Sequence, residues 1–172
     1  MVGHIVGLGD RHGENIMLDV RSGEAVHVDF ACMFDKGETL EVAERVRFRL
    51  TQNVVDGMGI LGVDGPFRAC CHGALRCQMK NKTAIMSVVE TLLHDPLVEW
   101  MREHTKRHRA TNPKQLIGRV SRRLDGFLDL YNLNNEKDAL ALGCEGQVSR
   151  LISHCSAIEN LSEMYIWWMA WM

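Results

Sequence analysis

Apolar residues recur along this chain at two different periods. From Phe67 to Met79 they fall at Phe67, Cys70, Cys71, Ala74, Leu75 and Met79, steps of three and four that predict an amphipathic helix. Lys80-Asn81-Lys82 reads as a turn. A second helix is expected after it, with Thr83 as its cap and Ile85, Met86, Val88, Val89, Leu92 and Leu93 as its apolar set. Gln115 to Tyr131 repeats the helical spacing through Leu116, Val120, Leu124, Phe127, Leu128 and Tyr131. Gln52 to Met58 is a shorter amphipathic stretch, followed by a connection rich in glycine around Pro66. Near the carboxyl terminus, Gly143 to Val148 starts a helix that carries Val148, Leu151 and Ile152, and residues 157–162 are expected to interrupt it. One segment differs. Ile16-Met17-Leu18 and Ala25-Val26-His27-Val28 are short runs on either side of Arg21-Ser22-Gly23-Glu24, and they predict a hairpin. The fold class expected is mainly α with a small β-hairpin.

Composition changes this picture little. The chain has 172 residues, 46% hydrophobic and 24% charged, which suits a globular domain with a real core. A net charge of −2 gives no global pull toward nucleic acid or membrane. Residues 102–123 carry eight lysines and arginines against one acid, Glu103, and read as a solvated linker with a basic helix face. The six cysteines form no paired CxxC modules and read as reduced thiols. No run reaches the ~20 apolar residues of a membrane-spanning helix. Three of the four tryptophans fall in the last six residues, Ile166-Trp167-Trp168-Met169-Ala170-Trp171-Met172 being the tail. Such a cluster suits either a membrane interface or a protein surface.

Candidate chemistry is concentrated between residues 7 and 30. Gly7-Leu8-Gly9-Asp10-Arg11-His12-Gly13-Glu14-Asn15 brings an acid and an amide within one glycine-bearing loop, and Asp29 leaves the returning strand beside it. Two carboxylates and an amide are the groups phosphoryl transfer needs. One accepts the proton of the attacking hydroxyl, and two hold divalent metal against phosphates. Asn15 and Asp29 offer hard oxygen donors of the kind Mg²⁺ takes.

Gly-Leu-Gly-Asp-Arg-His-x-x-Asn-Ile followed by His-Val-Asp-Phe resembles the catalytic and metal-binding loops of the phosphatidylinositol 3-kinase-related protein kinases. Ordinary protein kinases put histidine before aspartate; here Asp10 precedes His12. The resemblance implies Asp10 as catalytic base, His12 as support for the transferring phosphate, and Asn15 and Asp29 as metal and nucleotide-binding residues. It implies ATP with Mg²⁺ or Mn²⁺, and the carboxyl-terminal lobe of a kinase fold of the PI3K/PI4K type. Residues 1–104 would form that lobe, with the catalytic loop at 7–15, a metal-binding loop at 27–31 and an activation loop at 30–51. Two positions depart from the family pattern: Ala31 stands where glycine is usual, at some cost in backbone freedom, and Arg47 where proline is usual.

His94-Asp95-Pro96-Leu97-Val98-Glu99-Trp100 matches the structural end of the related kinase domain, so His94 and Asp95 are not taken as a catalytic pair. Residues 105–139 would be a basic linker and regulatory helix. Glu145-Gly146-Gln147-Val148, Asn160-Leu161-x-x-Met164-Tyr165 and the aromatic tail resemble a FATC domain over 140–172, packed on the kinase lobe and not inserted in a membrane. The features look closest to the DNA-damage and replication-stress branch of the family, in its plant or green-algal form. Members act in the nucleus as serine/threonine kinases on protein substrates, with serine or threonine before glutamine, and are recruited by a partner to coated single-stranded DNA. Only nine residues precede Asp10, and no glycine-rich loop or strand lysine for the ATP phosphates is found, so the chain is expected to be a piece of a longer kinase, inactive alone. The alternatives are a non-catalytic interaction module derived from such a kinase and, disfavoured by the FATC-like tail, a lipid kinase fragment.

Overall fold

The computed structural model describes residues 1–93, 113–128 and 140–168. Helices dominate it, with one two-stranded sheet. The elements are α1 (Val2–Val6), β1 (Ile16–Leu18), β2 (Ala25–His27), α2 (Gln52–Gly57), α3 (Pro66–Lys80), α4 (Lys82–Leu93), α5 (Pro113–Leu124), α6 (Cys144–Cys155) and α7 (Ile158–Leu161), with short 3₁₀ turns at Gly13–Asn15, Lys36–Thr39, Gly62–Asp64 and Ile166–Trp168.

Local chemistry sets most boundaries. α1 ends at Gly7, whose φ of 63° is left-handed, and the Leu8 amide closes the turn on the Gly3 carbonyl at 2.8 Å. A side chain at Gly7 would also meet the Asp35 carboxylate at 2.4 Å. β1 and β2 pair antiparallel, with Met17 opposite Val26, as the alternation around the Ser22-Gly23 turn requires. Asp19 shapes that turn by accepting from the Arg21 and Ser22 amides. Pro66 opens α3, where its missing N–H costs nothing.

Two expectations are corrected. α4 starts at Lys82, so Thr83 lies inside its first turn; Asn81 makes the junction, its side-chain amide donating to the Cys77 carbonyl at 2.8 Å. Residues 157–162 do not simply interrupt the last helix. α6 ends at Cys155, the hydroxyl of the following Ser156 bonds back to the Ile152 carbonyl, and Ile158–Leu161 then forms one further helical turn. The expected apolar sets are also narrower than their spacing implied. Cys71 and Leu75 of α3 and Val89 and Leu93 of α4 are buried, while Cys70 is exposed and Val88 is 69% exposed. The buried positions are four apart, so each helix turns one row of side chains inward.

That row belongs to a core drawn from all three described segments. Ile5, Leu50, Leu75 and Leu93 join Leu116, Val120 and Leu124 of α5, and Val148, Ile152, Met164 and Trp168 of the carboxyl-terminal region. Each such side chain, fully buried, contributes about 1.5–3 kcal/mol. α6 packs on α3, with the Arg68 guanidinium donating to Ser149 at 3.0 Å. α5 packs on α4, with Lys82 paired to Asp125 just past the helix end at 2.6 Å. No helix among the described residues is long and apolar enough to cross a membrane. The stretch 94–100, most of the basic linker, residues 129–139 and the last four residues lie outside the described residues.

Candidate active site

The loop after α1 carries most of the candidate chemistry. Its shape depends on Arg11, which is 2% exposed. The Arg11 guanidinium donates to the main-chain carbonyls of Gly9 at 2.8 Å, Asn15 at 3.3 Å and Val28 at 2.7 Å, and also to that of Asp29. One side chain therefore ties the loop's beginning, its end and the strand that returns to it. The Val28 amide adds a bond to the Asn15 carbonyl at 3.1 Å.

Within this frame three of the four expected residues touch. The Asn15 amide nitrogen donates to the Asp10 carbonyl at 2.8 Å and reaches its carboxylate at 3.5 Å. His12 Nε2 lies 3.8 Å from Asp10 Oδ1. His12 Nδ1 accepts the Glu14 amide at 3.2 Å, capping the 3₁₀ turn and leaving Nε2 toward the acid. Asn15 is buried, whereas the Asp10 and His12 side chains are 40% and 23% exposed. Asp29 is held to the same centre through its main chain. Its carboxylate Oδ1 accepts the Ala31 amide at 2.9 Å.

Backbone conformation explains the departure at residue 31. Asp10 and Asp29 both have left-handed φ values, 58° and 56°. Ala31 is not among the residues with positive φ, so this turn does not need glycine there.

The donor set fits a divalent cation in part. Asn15 uses its nitrogen on Asp10, which leaves its amide oxygen for a ligand role. Asp29 likewise has a second carboxylate oxygen. Among the described residues no group of three or more His, Cys, Asp or Glu side chains could hold a metal. Two protein oxygens completed by phosphate and water match how Mg²⁺ is usually bound.

Several residues that shape the site went unnoticed in the sequence. Glu44, 34 positions from Asp10, accepts the Asp10 amide at 2.7 Å. Burial raises its pKa to about 7 against the hydrogen bonds from the Asp10 and Arg11 amides. Asp35 is buried among Arg123, Arg47 and Arg119, at 2.7, 3.0 and 3.2 Å. Burial alone would raise the Asp35 pKa, but the three cations together hold it below the usual carboxylate value. Arg47, at the position where proline is usual, is thereby an ion-pair partner of both Asp35 and Glu38. The sequence signal for the contacts from Arg119 and Arg123 was weak, because partners 81–88 residues apart leave no local pattern. A narrow cleft lined by Gly7, Gly9, Asp35, Gly37 and Glu44 sits within this bracing and does not include His12, Asn15 or Asp29.

The carboxyl-terminal region closes on residues 45–49. The Arg45 amide donates to the Met164 sulfur at 3.1 Å, and the Arg45 guanidinium pairs with Glu163 at 2.9 Å. Arg49 donates to the Trp168 carbonyl at 3.1 Å and lies 5.7 Å from the centre of its ring.

Comparison with known proteins agrees from several sides. The family model for phosphatidylinositol 3- and 4-kinase matches residues 1–102, and that for the FATC domain matches residues 141–172. The chain is 48% identical over 174 residues to the serine/threonine-protein kinase ATR of Arabidopsis thaliana, with 99% of this chain and 6% of the relative covered. It is 43% identical over 172 residues to protein kinase rad3 of Schizosaccharomyces pombe, covering 99% of this chain and 7% of that one. Among solved structures, the FAT and kinase domain of CtTel1 superposes with a TM-score of 0.78 at 34% identity, over 98% of this chain and 11% of that chain. The chain thus spans only a small part of the length of the relatives it matches.

Proposed function

The chain belongs to the phosphatidylinositol 3-kinase-related kinases, joining PI3/PI4-kinase and FATC sequence, and from that premise we propose that it supplies the catalytic and metal-binding loops of an ATR-like serine/threonine kinase. The supporting observation is the convergence of Asp10, His12 and Asn15 in one loop that Arg11 ties to the backbone of Asp29.

In this reading the Asp10 carboxylate, partly exposed, receives the proton of a serine or threonine hydroxyl as it attacks the γ-phosphorus of ATP. The β–γ bridging bond breaks, and ADP leaves with that electron pair. His12 stands beside Asp10 to support the transferring phosphoryl oxygens. Asn15 and Asp29 present oxygens to the cation. Mg²⁺ or Mn²⁺ bound there would neutralise charge on the phosphates. The rate gain comes from positioning and electrostatics, which is why a loop so thoroughly fixed suits the task.

Residues 1–104 form the kinase lobe in this reading, 105–139 a basic linker and regulatory helix, and 140–172 the FATC domain. Likeness to ATR extends the proposal to protein substrates with serine or threonine before glutamine, in nuclear DNA-damage and replication-stress signalling. It also suggests recruitment by a partner on coated single-stranded DNA. The 172 residues contain no glycine-rich loop or strand lysine for the ATP phosphates, so the isolated chain is expected to be inactive.

The test compares peptide phosphorylation by a longer parent kinase bearing this segment, its Asp29→Ala variant, and the 172-residue chain alone. The expected results are turnover by the parent, a loss of about 10²–10³-fold or more in the variant, and none from the isolated chain. Undiminished turnover by Asp29→Ala would sink the assignment. Robust turnover by the isolated chain, abolished by Asp29→Ala, would instead refute its dependence on further sequence.

A further inference from the structure

Asp10 is a non-glycine residue with φ of 58°. That conformation is uncommon outside glycine and persists where the surroundings over-determine it. Within the loop the Asn15 amide holds the Asp10 carbonyl; from outside it the surroundings are Glu44. Its Oε1 accepts the Asp10 amide at 2.7 Å, across 34 residues of chain. The Arg11 amide also faces this carboxylate.

The carboxylate reaches those amides through a slot made by two glycines. An added Cβ at Gly9 would lie 2.4 Å from Glu44 Oε2, and one at Gly37 would lie 1.8 Å from it. Both distances are too short for a real side chain, so a Cβ at either position would displace the Glu44 carboxylate from where it sits. A main-chain bond fixes each wall. The Gly9 amide donates to the Cys32 carbonyl at 2.7 Å, and the Glu44 amide to the Gly37 carbonyl at 3.0 Å. The next residue, Arg45, is fixed to Met164 and Glu163. Glu44 is thus anchored on both sides, and its acceptor atoms point into the loop's backbone.

We propose that Glu44 is a positioning residue for phosphoryl transfer, holding Asp10 in its left-handed conformation so that its carboxylate meets the substrate hydroxyl. The inference rests on the kinase reading above. Glu44 is not itself a catalytic residue, because its Oε1 is committed to the Asp10 amide. What the loop needs from it is an acceptor, and glutamine supplies one at the same length without charge.

The proposal predicts a split between variants and between kinetic constants. In a longer parent kinase bearing this segment, Glu44→Ala is expected to lower kcat by about 10–100-fold, the scale of a misplaced reacting group. KM for Mg-ATP should stay within about two-fold, because no nucleotide contact is lost. Glu44→Gln should restore kcat to within about three-fold of the parent, since the acceptor is retained. Wild-type kcat in Glu44→Ala overturns the proposal. A raised ATP KM with unchanged kcat overturns it too, as does a Gln variant as impaired as the Ala variant. An independent arm uses the 172-residue chain and reads hydrogen exchange of the Asp10 amide by NMR. Glu44→Ala should speed it by about 10-fold or more, Glu44→Gln should leave it slow, and α3 should be unchanged in both. Equal acceleration in α3 would reduce Glu44 to general stability and overturn the positioning role. If Asp29→Ala leaves the parent's turnover intact, the kinase reading fails, and the exchange arm still decides whether Glu44 holds the loop.

Discussion

Arg11 and Arg123 are both almost fully enclosed, at 2% and 1% exposure, yet they meet different kinds of partner. Arg11 donates to four main-chain carbonyls that lie within 18 residues of it. Arg123 reaches from α5 to the carbonyls of His4 and Ile5 near the end of α1, and to both oxygens of Asp35. The first arginine shapes a loop from within. The second fastens that loop's entrance, and the start of the segment after Asp29, to a helix 88 or more residues away. A carbonyl is a dipole that gains from a cation without itself being charged. Asp35 is a buried charge, and it tolerates enclosure only while its cations remain.

This contrast is sharpest if Arg123 is removed. Arg123→Met leaves Asp35 buried with part of its compensation gone, and a loss of about 3–5 kcal/mol is expected. Chemical denaturation of the 172-residue chain measures it. A loss below about 1 kcal/mol would show that the remaining arginines suffice. Arg11→Met should cost less, about 2–3 kcal/mol, because it strands dipoles that water or other amides partly satisfy. Its damage should also be local. Faster hydrogen exchange over residues 7–30, with α3 and α6 unaffected, is the expected pattern, and a uniform rise would show that Arg11 supports the whole fold as Arg123 does.

His4 offers a smaller test. It sits on α1 at 1% exposure, and neither ring nitrogen has a hydrogen-bond partner among the described residues. Burial pushes its pKa well below the ordinary value, and the Arg123 and Arg47 cations push it the same way. The imidazole is therefore neutral in the fold and gains a proton below pH 6.5 only when the chain unfolds. Since the unfolded state binds more protons there, His4 adds no titration penalty above pH 6.5 and lowers stability progressively as pH falls below it. His4→Phe should remove that component and raise stability at neutral pH by about 1–2 kcal/mol, the cost of burying unpaired polar atoms. Thermal denaturation from pH 5 to 8 checks both, and an unchanged pH slope would refute the account. Glu44 acts with the opposite sign. Its pKa is raised from 4.5 to about 7, so its contribution is fully present below pH 4.5 and is lost as pH rises to 7. A fair measurement of His4 therefore uses the Glu44→Gln background.

The same contrast explains what could be read without coordinates. The loop at 7–15 and its hairpin were legible because the contacts that set their turns are close in sequence. Gly7 ends a helix, Ser22-Gly23 turns a strand, and Asn15 returns to Asp10 within five residues. Helices α3 to α6 were legible from spacing, although which row faces inward was not: Val88 and Val89 are neighbours in sequence, and only the second is buried. Glu44 and Asp35 looked like ordinary loop acids. Their environments are made by Gly9 and Gly37 on one side and by α5 on the other, and no periodicity in 172 residues records that meeting.

The core that unites Leu75 with Val148, Met164 and Trp168 also sets a schedule for making the protein. A ribosome adds about 5–20 residues per second, so on the order of 5–20 s separates the emergence of Leu75 from that of Trp168. For that interval the face of α3 that α6 covers stands open to solvent. Until the carboxyl-terminal region is made, the core that Leu75 shares with Val148, Met164 and Trp168 stays unfilled.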